Sequence, residues 1–217
     1  MYYRNCGLPS IKEYWYDESS SKTSVRVTES AGERATAEGG LVQSEFDKVV
    51  AMELRKINIQ DALAQWEYTT GLPADENGLT NPYHGVSYEE YVGTVLPKLI
   101  SYEQPVDMPD WFVPETYYYL WDGDCLVGEF RIRHYLTESL RNGAGHIGYS
   151  IRNDMRGNGY GTTGLKLTLE IARGIVPEDE IYLRVNKDNI ASQKVMLKNG
   201  ARITCEDEEH YFMRIPK

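Results

Sequence analysis

The segment from Gly145 to Gly200 constrains the fold of this chain more than any other. Residues 146–151 are short and rich in residues that favour strands, and residues 162–173 have the length of a helix. Between them lies a loop, residues 156–161, with the sequence Arg-Gly-Asn-Gly-Tyr-Gly. Backbone amides that converge at a helix N-terminus bind anions, because they lack partners within the helix and the helix dipole is positive there. The order strand, glycine loop and helix therefore predicts a site for a phosphorylated cofactor.

Two other classes of glycine loop fit this segment less well. A nucleotide-triphosphate loop ends in Gly-Lys-Ser or Gly-Lys-Thr, whereas Gly161 is followed by two threonines and no lysine. Residues 159–164 do spell Gly-x-Gly-x-x-Gly, with acids at residues 178–180, as in a dinucleotide-binding site. However, residues 152–158 separate the strand from the first glycine, and the acids precede the next strand instead of following it. A dinucleotide-dependent oxidoreductase therefore stays a minor alternative.

The spacing Arg-x-x-Gly-x-Gly, at Arg156, Gly159 and Gly161, resembles the loop of the GNAT family of acyl-CoA-dependent N-acetyltransferases. Residues 181–186 are similar to the fifth strand of that family. Residues 189–201 open with Asn-x-x-Ser and contain Lys-Asn-Gly-Ala, which is similar to the closing motif of the family. Within the family, residues 146–149 and 194–200 look most like the branch that contains ribosomal-protein N-terminal acetyltransferases and uncharacterised bacterial relatives.

The resemblance implies an α/β (α+β) fold. A mixed, mostly antiparallel central sheet of about six to seven strands would be flanked by about four helices and splayed between strands four and five. We expect residues 52–217 to form the GNAT acetyltransferase domain. Residues 1–51 are expected to be an N-terminal extension, strand-like at residues 11–16 and 23–27 or loosely ordered, which pairs with the domain edge or a neighbouring subunit. An alternative is that Met52 is the natural start.

Periodicity and turn residues predict the other elements of the domain. In chain order they are a helix at 61–71, a helix opened by Ser87 and kinked at Pro97, a hairpin at 115–133 with an Asp-Gly turn, a helical turn at 138–141, and a closing hairpin at 202–215. Strict alternation places Val127, Glu129, Arg131 and Arg133 on one face of the first hairpin. By position in the family, His84, Tyr88 and Glu89 are candidates for the acceptor side of the site, with a solvated surface as the plainer interpretation.

The resemblance also implies acetyl-CoA as co-substrate and no metal. The loop amides would cradle the diphosphate with Arg156 adding positive charge, and a backbone N–H near Ile151 would polarise the thioester carbonyl. Asn186 and Asn189 match family positions that contact the cofactor, with a strand-end turn and a helix N-cap as their alternative roles. The candidate cofactor-binding residues are Ile151, Arg156, Gly157, Asn158, Gly159, Tyr160, Gly161, Thr162, Asn186, Asn189 and Ser192.

Acetyl transfer to an amine needs a proton acceptor, because a lysine-like amine is almost wholly protonated at neutral pH. Related enzymes often carry a glutamate where this chain has His146, and an unperturbed imidazole titrates near ~6.5. His146 is the first candidate base, with a structural hydrogen-bonding role as the alternative. Glu129 is a second candidate, although pairing with Arg131 or Arg133 is its plainer role. The candidate catalytic residues are therefore His146, Ile151 and Glu129.

The sequence departs from the family pattern at Met196, where many members have a tyrosine that protonates the leaving thiolate. Methionine cannot donate a proton, so either water or another tyrosine does so, or the thiolate leaves unassisted. We therefore expect an acetyltransferase that moves an acetyl group to a primary amine by direct transfer in a ternary complex. A CoA-binding regulatory module without turnover is the alternative.

Composition limits the partners and the compartment. The net charge is −10, which disfavours nucleic acid and attracts a cationic substrate such as a small-molecule or peptide amine. The three cysteines are widely spaced and odd in number, which suits a reducing compartment. No apolar run approaches the roughly 20 residues of a membrane span, and no signal peptide is evident. We expect a cytoplasmic protein that binds no membrane. Homodimers are common among similar folds, and a homodimer is one candidate assembly of this chain.

Overall fold

The computed structural model of the chain describes residues 24–27, 50–106, 108–109 and 111–217. The predicted strand-like piece at residues 11–16 lies outside these ranges. The first strand, β1 (Ser24–Val27), pairs antiparallel with β2 (Val50–Lys56), the predicted first strand of the domain. The predicted division of the chain at residue 52 stays a prediction.

The larger sheet has five antiparallel strands in the order β1-β2-β5-β6-β7. Its three later strands are β5 (Glu115–Asp122), β6 (Cys125–Arg133) and β7 (Ile147–Ile151). The predicted hairpin joins β5 and β6 through a two-residue loop, and the positive φ of 58° at Gly123 explains the glycine there. The strand β7 forms one edge of this sheet.

A β-bulge in the hairpin changes which residues face each other. Asp122 stands opposite Cys125, but the register shifts by one residue on β6, so that Val127 is the extra residue. Val127 therefore packs with Phe130 in the core beneath α5 (Tyr160–Ile175), and the prediction that it shares a face with Glu129 is wrong. Beyond the bulge, Glu129 stands opposite Tyr119.

One face of the larger sheet is covered by α1 (Ala62–Gly71) and by a helix in three parts. That helix begins as α2 (Tyr88–Glu90), continues through a π-helical segment (Tyr91–Val95) and ends as α3 (Leu96–Ser101). The hydroxyl of Ser87 accepts the N–H of Glu90, as the predicted cap requires. The π-helical segment ends two residues before Pro97, whose missing N–H disrupts a regular helix. A short hairpin, β3 (Asp75–Glu76) and β4 (Leu79–Thr80), lies between these helices in the chain.

The opposite face is covered by α5, and a second sheet follows it. This sheet has the order β8-β10-β9, with β8 (Glu180–Asn186), β9 (Arg202–Glu206) and β10 (His210–Pro216), and α6 (Ile190–Lys198) connects β8 to β9. A short helix, α4 (Glu138–Arg141), lies at the predicted helical turn. With β2 and β5–β10, the described ranges contain seven strands of the predicted six to seven, and the mixed α/β fold is confirmed. None of the helices in the described ranges is both long and apolar enough to cross a membrane.

The two sheets meet at one point and then diverge. An isolated bridge joins Gly145 to Leu183, and the N–H of His146 donates to the carbonyl of Tyr182 at 2.7 Å. Gly145 has a φ of 69°, and a Cβ there would overlap the Tyr182 carbonyl oxygen. Only glycine permits this approach. Between the described residues of β7 and β8 no further bridge forms, which confirms the predicted splay.

Glycines at two positions of α5 allow a test of how tightly this helix packs. A Cβ on Gly164 would overlap the buried Phe130 ring and lie 3.1 Å from Leu120 Cδ2. We expect Gly164→Ala to lower the free energy of unfolding by about 1–3 kcal/mol, because the core has no room for the methyl group. That loss corresponds to a Tm lower by roughly 2–4 °C for each kcal/mol. Denaturant and thermal unfolding followed by circular dichroism measure the change.

The matched control is Gly174→Ala in the same helix. A Cβ at Gly174 would meet nothing within 4 Å. Alanine favours a helix over glycine by roughly 0.5–1 kcal/mol, so this variant should be slightly more stable than the wild type. Equal effects of the two substitutions would contradict the packing of α5 described above.

Candidate active site

The glycine loop before α5 has the geometry of an anion site. Gly157 and Gly159 have φ angles of 83° and 86°, and a Cβ on either would meet no atom within 4 Å. The loop therefore faces open space, and the first amides of α5 point out of the helix without intrahelical partners. The side chain of Tyr160 is buried and its hydroxyl donates to Asp122 at 2.5 Å. Tyr160 can therefore contribute only its backbone N–H to anion binding. Gly161 and Thr162 can contribute their backbone N–H groups as well.

The side chain of Arg156 lies against the end of β7. Its Nε donates to the carbonyl of Ile151 at 3.0 Å, and its two terminal nitrogens contact the carboxylate of Glu76 at 2.9 and 2.5 Å. The pair lowers the pKa of Glu76 and raises that of Arg156. Arg156 is thus held by the β3–β4 hairpin in addition to its own loop. Asn158 donates to the carbonyl of Met155 at 3.2 Å and so stabilises the turn.

The same hairpin also reaches the end of β8. Gly78 has a φ of 81°, and a Cβ there would lie 2.9 Å from Oδ1 of Asn186. The β3–β4 hairpin therefore spans the splayed strands, from Arg156 on one side to Asn186 on the other. Asn189 caps α6, since its Oδ1 accepts the N–H of Ser192 at 3.0 Å. The hydroxyl of Tyr149 lies 3.4 Å from the Ser192 carbonyl and so links β7 to α6.

A row of side chains crosses the face of the sheet that α1 covers. Tyr119, Glu129 and Ser150 stand opposite one another on β5, β6 and β7. The hydroxyl of Tyr68 on α1 lies 2.8 Å from the Ser150 carbonyl and donates to it, which places α1 above this row. Burial raises the pKa of Glu129 to about 7, against the attraction of the Arg131 charge. A carboxyl group of this pKa exchanges protons near neutral pH, one strand in from the edge of β7.

Glu129 is not the ion-pair partner that alternation predicts. Arg131 and Arg133 both face Glu115, with nitrogen–oxygen distances of 3.6 and 3.7 Å. Arg131 also donates to the hydroxyl of Tyr117 at 3.2 Å. Within the described ranges Glu129 makes no ion pair of 4.0 Å or less. Glu115, and not Glu129, is therefore the ion-pair partner of Arg131 and Arg133.

His146 is fully buried, and both of its ring nitrogens are engaged. Its Nδ1 lies 2.9 Å from the backbone N–H of Tyr182, which can only donate, so Nδ1 accepts. Its Nε2 lies 3.1 Å from the Glu178 carboxylate and carries the proton. Burial lowers the pKa of His146, which agrees with a neutral ring. Since the ring has no free lone pair for a substrate proton, the geometry favours the structural role.

The three acceptor-side candidates lie in the segment that connects α1 to α2 or at the start of α2. The ring of Tyr88 packs edge-on against Trp66 with centroids 5.5 Å apart, and Nδ1 of His84 lies 2.7 Å from the Leu72 carbonyl. Glu89 is exposed. In the part of the chain that the structure describes, no group of three or more His, Cys, Asp or Glu side chains is placed to hold a metal ion.

Sequence reasoning missed Glu76, Tyr68 and Tyr119. A single acid in a polar loop such as Glu76 carries no signal, because its partner Arg156 is 80 residues away. Tyr119 would have followed from the register of the hairpin had the bulge been foreseen. Tyr68 lies on the buried side of a predicted helix, but its contact with Ser150 is a long-range one.

The fold and the glycine loop have counterparts in known proteins. Residues 80–202, more than half of the chain, match the family model described as an acetyltransferase (GNAT) domain. The structure of Mycobacterium smegmatis RimJ in complex with CoA-disulfide is similar at 18% identity and a TM-score of 0.55, over 77% of this chain and 82% of that one. The ribosomal-protein-S5-alanine acetyltransferase from Vibrio fischeri is similar at 18% identity and a TM-score of 0.56, over 81% and 96%.

The structure of RimL, a ribosomal L7/L12 alpha-N-protein acetyltransferase in complex with coenzyme A, is similar at 17% identity and a TM-score of 0.57. That match covers 76% of this chain and 93% of the other. Likeness at such identities establishes the fold, and no curated protein sequence matches the chain. The family model, however, covers the glycine loop, α5 and α6 together. The chain therefore belongs to the GNAT family, and it is an N-acetyltransferase.

Proposed function

We propose that this protein transfers the acetyl group of acetyl-CoA to a primary amine by direct transfer in a ternary complex. The observation that carries the proposal is the position of Glu129. It stands opposite Ser150 on β7, next in the chain to Ile151, and so beside the cleft that opens between β7 and β8. A group that exchanges protons near neutral pH thus lies beside an anion-binding loop.

The residues of the loop fit the cofactor. The amides of residues 157–162 would bind the diphosphate, and Arg156 would add charge once it leaves Glu76. The edge of β7 offers backbone groups to an extended ligand, including an N–H near Ile151 to polarise a carbonyl. Asn186 and Ser192 line the other side of the cleft, while Asn189 acts through the cap of α6. Acetyl-CoA, when bound there, supplies the activated acetyl thioester.

Glu129 is the proposed general base, in place of His146. Its carboxylate would accept the proton of the substrate ammonium, directly or through one water, and leave a neutral amine. The raised pKa suits the task, because a carboxylate with a pKa of about 4.5 would bind this proton too weakly. The chain's net charge of −10 favours the approach of a cationic acceptor.

The proton donor to the departing thiolate is a separate question. Met196 is buried in the core and cannot donate. Tyr149 is a candidate, because its hydroxyl reaches α6 at Ser192, one helical turn before Met196. Burial raises the pKa of Tyr149 to about 12, so water is the competing donor. If neither acts, the thiolate would leave unassisted. A CoA-binding regulatory module without turnover is the alternative that Met196 also allows.

The acceptor belongs to the class of primary amines, and a protein N-terminus is the member we favour. RimL and the S5-alanine enzyme, by their names, acetylate ribosomal proteins, and both share this fold. The expected absence of nucleic-acid and membrane partners, the homodimer and the cytoplasmic location stay predictions from composition.

Binding of acetyl-CoA is the first test of this function. Ligand at 100 times its Kd adds about 2.7 kcal/mol of stability. For a chain of this size that predicts a Tm higher by roughly 5–10 °C, measured by differential scanning fluorimetry. NADH should give no shift. A folded sample whose Tm does not respond to acetyl-CoA would overturn the proposal, and a response with no CoA release against a panel of peptide and small amines would favour the regulatory module.

The contact between Arg156 and Glu76 predicts a stronger cofactor affinity when Glu76 is neutral. The Glu76 carboxylate competes with the diphosphate for the same guanidinium, and exposed pairs of this kind contribute about 0.2–1 kcal/mol. Glu76→Gln should therefore lower the Kd of acetyl-CoA up to about fivefold in isothermal titration calorimetry. Asp75→Asn, an exposed neighbour on the same hairpin, is the matched control. An equal gain in affinity in both variants would show that the effect comes from the change in net charge and not from the loss of the Arg156–Glu76 ion pair.

Replacement of Glu129 separates its role from that of His146. Glu129→Gln should lower kcat about 100-fold or more, because general base catalysis is lost, while the Kd of acetyl-CoA stays unchanged. In the wild type kcat should rise with pH through about 7, since the base must be ionised. His146→Asn should reduce the Tm and leave the midpoint of the pH profile in place. If the midpoint of kcat against pH moves in His146→Asn and not in Glu129→Gln, the general base is His146 and not Glu129.

Stability gives an independent measure of the Glu129 ionisation. The folded state holds this proton up to a pH of about 7, whereas the unfolded chain releases it near 4.5. As the pH rises through this interval the unfolded state loses protons first, so the wild type loses stability. Glu129→Gln carries no such penalty, and its Tm advantage over the wild type should grow between pH 4.5 and 7. A constant difference would show that Glu129 titrates normally.

A further inference from the structure

Five polar atoms of α1, the π-helical segment and β5 are buried without a partner. In the described part of the chain they are Gln65 Oε1, Thr69 Oγ1, Tyr91 OH, Tyr119 OH and Trp121 Nε1. The five residues are each at most 5% exposed. One unpaired buried polar group costs on the order of 1–3 kcal/mol, so such atoms are rare in folded proteins and call for a functional explanation.

The geometry brings three of these groups to Glu129. Tyr119 stands directly opposite Glu129 in the sheet, so the two side chains share a face. The hydroxyls of Thr69 and Tyr91 lie beside that of Tyr119, close enough to interact with it. The ring of Tyr68 packs edge-on against that of Tyr119, with centroids 5.9 Å apart, and covers the group towards Ser150.

Hydroxyl groups suit a carboxyl group that changes its charge. Each can donate and accept, and can reverse its direction when the neighbour gains or loses a proton. With Glu129 ionised, Tyr119 can donate to the carboxylate and accept from Thr69 or Tyr91. With Glu129 protonated, the carboxyl group can donate to Tyr119 instead. An apolar wall, by contrast, would leave the ionised form without any donor.

We propose that Thr69, Tyr91 and Tyr119 are positioning residues whose hydroxyls, which have no partner of regular hydrogen-bond geometry in the structure, close into a hydrogen-bond chain on the carboxylate of Glu129 when it is ionised. This chain orients the carboxylate towards Ser150 and the cleft, and stabilises its ionised form. The inference rests on the proposed role of Glu129 as base. It assigns the three hydroxyls no contact with acceptor or cofactor, because they act only through Glu129.

Several other groups face Glu129 and set the background for its titration. They are Arg131 on β6, Glu115, Tyr117 and Tyr119 on β5, Tyr68 on α1 and Tyr91 on the π-helical segment. Arg131 favours the ionised carboxylate and Glu115 disfavours it. Neither changes when a hydroxyl is removed, so the effect of the hydroxyls can be measured separately.

The test is Tyr119→Phe, which removes the terminal donor and keeps the ring. We expect the titration midpoint of Glu129 to rise by about one pH unit, because the ionised form loses its hydrogen bond. Difference infrared spectroscopy of the carboxyl stretch, with Glu129→Gln as reference, reads this midpoint without acetyl-CoA. The midpoint of kcat against pH should rise by the same amount. At pH 7, kcat should fall about three- to tenfold.

Tyr91→Phe and Thr69→Val should shift both midpoints in the same direction by less, because they act through Tyr119. If Tyr119→Phe fails to fold, these two variants test the hydrogen-bond chain in its place. The matched control is Tyr118→Phe on the same strand, which lies on the opposite face and packs in the core beneath α5. This variant should leave both midpoints unchanged.

The outcomes separate this inference from the proposed function. If the infrared midpoint of Glu129 does not move in Tyr119→Phe, Tyr91→Phe or Thr69→Val, the proposed hydrogen-bond chain is wrong. The proposed role of Glu129 as general base is then unaffected. If the infrared midpoint moves and that of kcat does not, the chain is supported and Glu129 is not the base. If Tyr118→Phe moves the midpoints equally, the effect is not specific to the chain.

Discussion

The close approach of Gly145 and His146 to Tyr182 and Leu183 holds the two sheets together, and the rest of the site depends on it. The absence of a side chain at Gly145 permits the approach. The buried ring of His146 then binds the backbone N–H of Tyr182, while the guanidinium of Arg133 donates to the Gly145 carbonyl at 2.9 Å. These contacts fix one end of the cleft, so that the twist of the two sheets separates β7 from β8 beyond it. His146 thus acts as a clamp at the point where the cleft begins.

The larger sheet divides two tasks between its faces. One face packs on α5 and carries the glycine loop at the end of β7, where an anion is favoured. The other face packs on α1 and carries the row that contains Glu129, the proposed proton acceptor. The β-bulge at Val127 assigns these faces: without it, the two-residue loop would pair Glu129 with Tyr118 instead of Tyr119. A single inserted residue therefore places the carboxylate among the hydroxyls of α1 and the π-helical segment.

Local patterns predicted the elements well, because periodicity, caps and turns act over a few residues. The hairpin at 115–133, the short helix α4 and the helix α5 all followed from local sequence patterns. Three features did not. The bulge at Val127 has only the neighbouring Gly128 to mark it, and a glycine within a strand does not say which residue is the extra one. The Arg156–Glu76 pair joins distant parts of the chain. A histidine at the start of a strand, such as His146, is equally compatible with a catalytic base and with a structural role. Each depends on tertiary contacts that no window of sequence contains.

The segment between β2 and β5 contacts the cleft at several points, which include the approach of Gly78 to Asn186. Tyr68 holds α1 to Ser150 beside the proposed base, and Glu76 holds the β3–β4 hairpin to Arg156 beside the proposed cofactor loop. A ligand that takes Arg156 from Glu76 must therefore release the ion pair that joins the β3–β4 hairpin to the cofactor loop. Because binding equilibria are reciprocal, any change that cofactor binding makes to the acceptor wall changes acceptor and cofactor affinities by the same factor. Under the proposed function, cofactor affinity responds to one exposed ion pair, Arg156–Glu76, and the proton affinity of Glu129 responds to the buried hydroxyls of Thr69, Tyr91 and Tyr119.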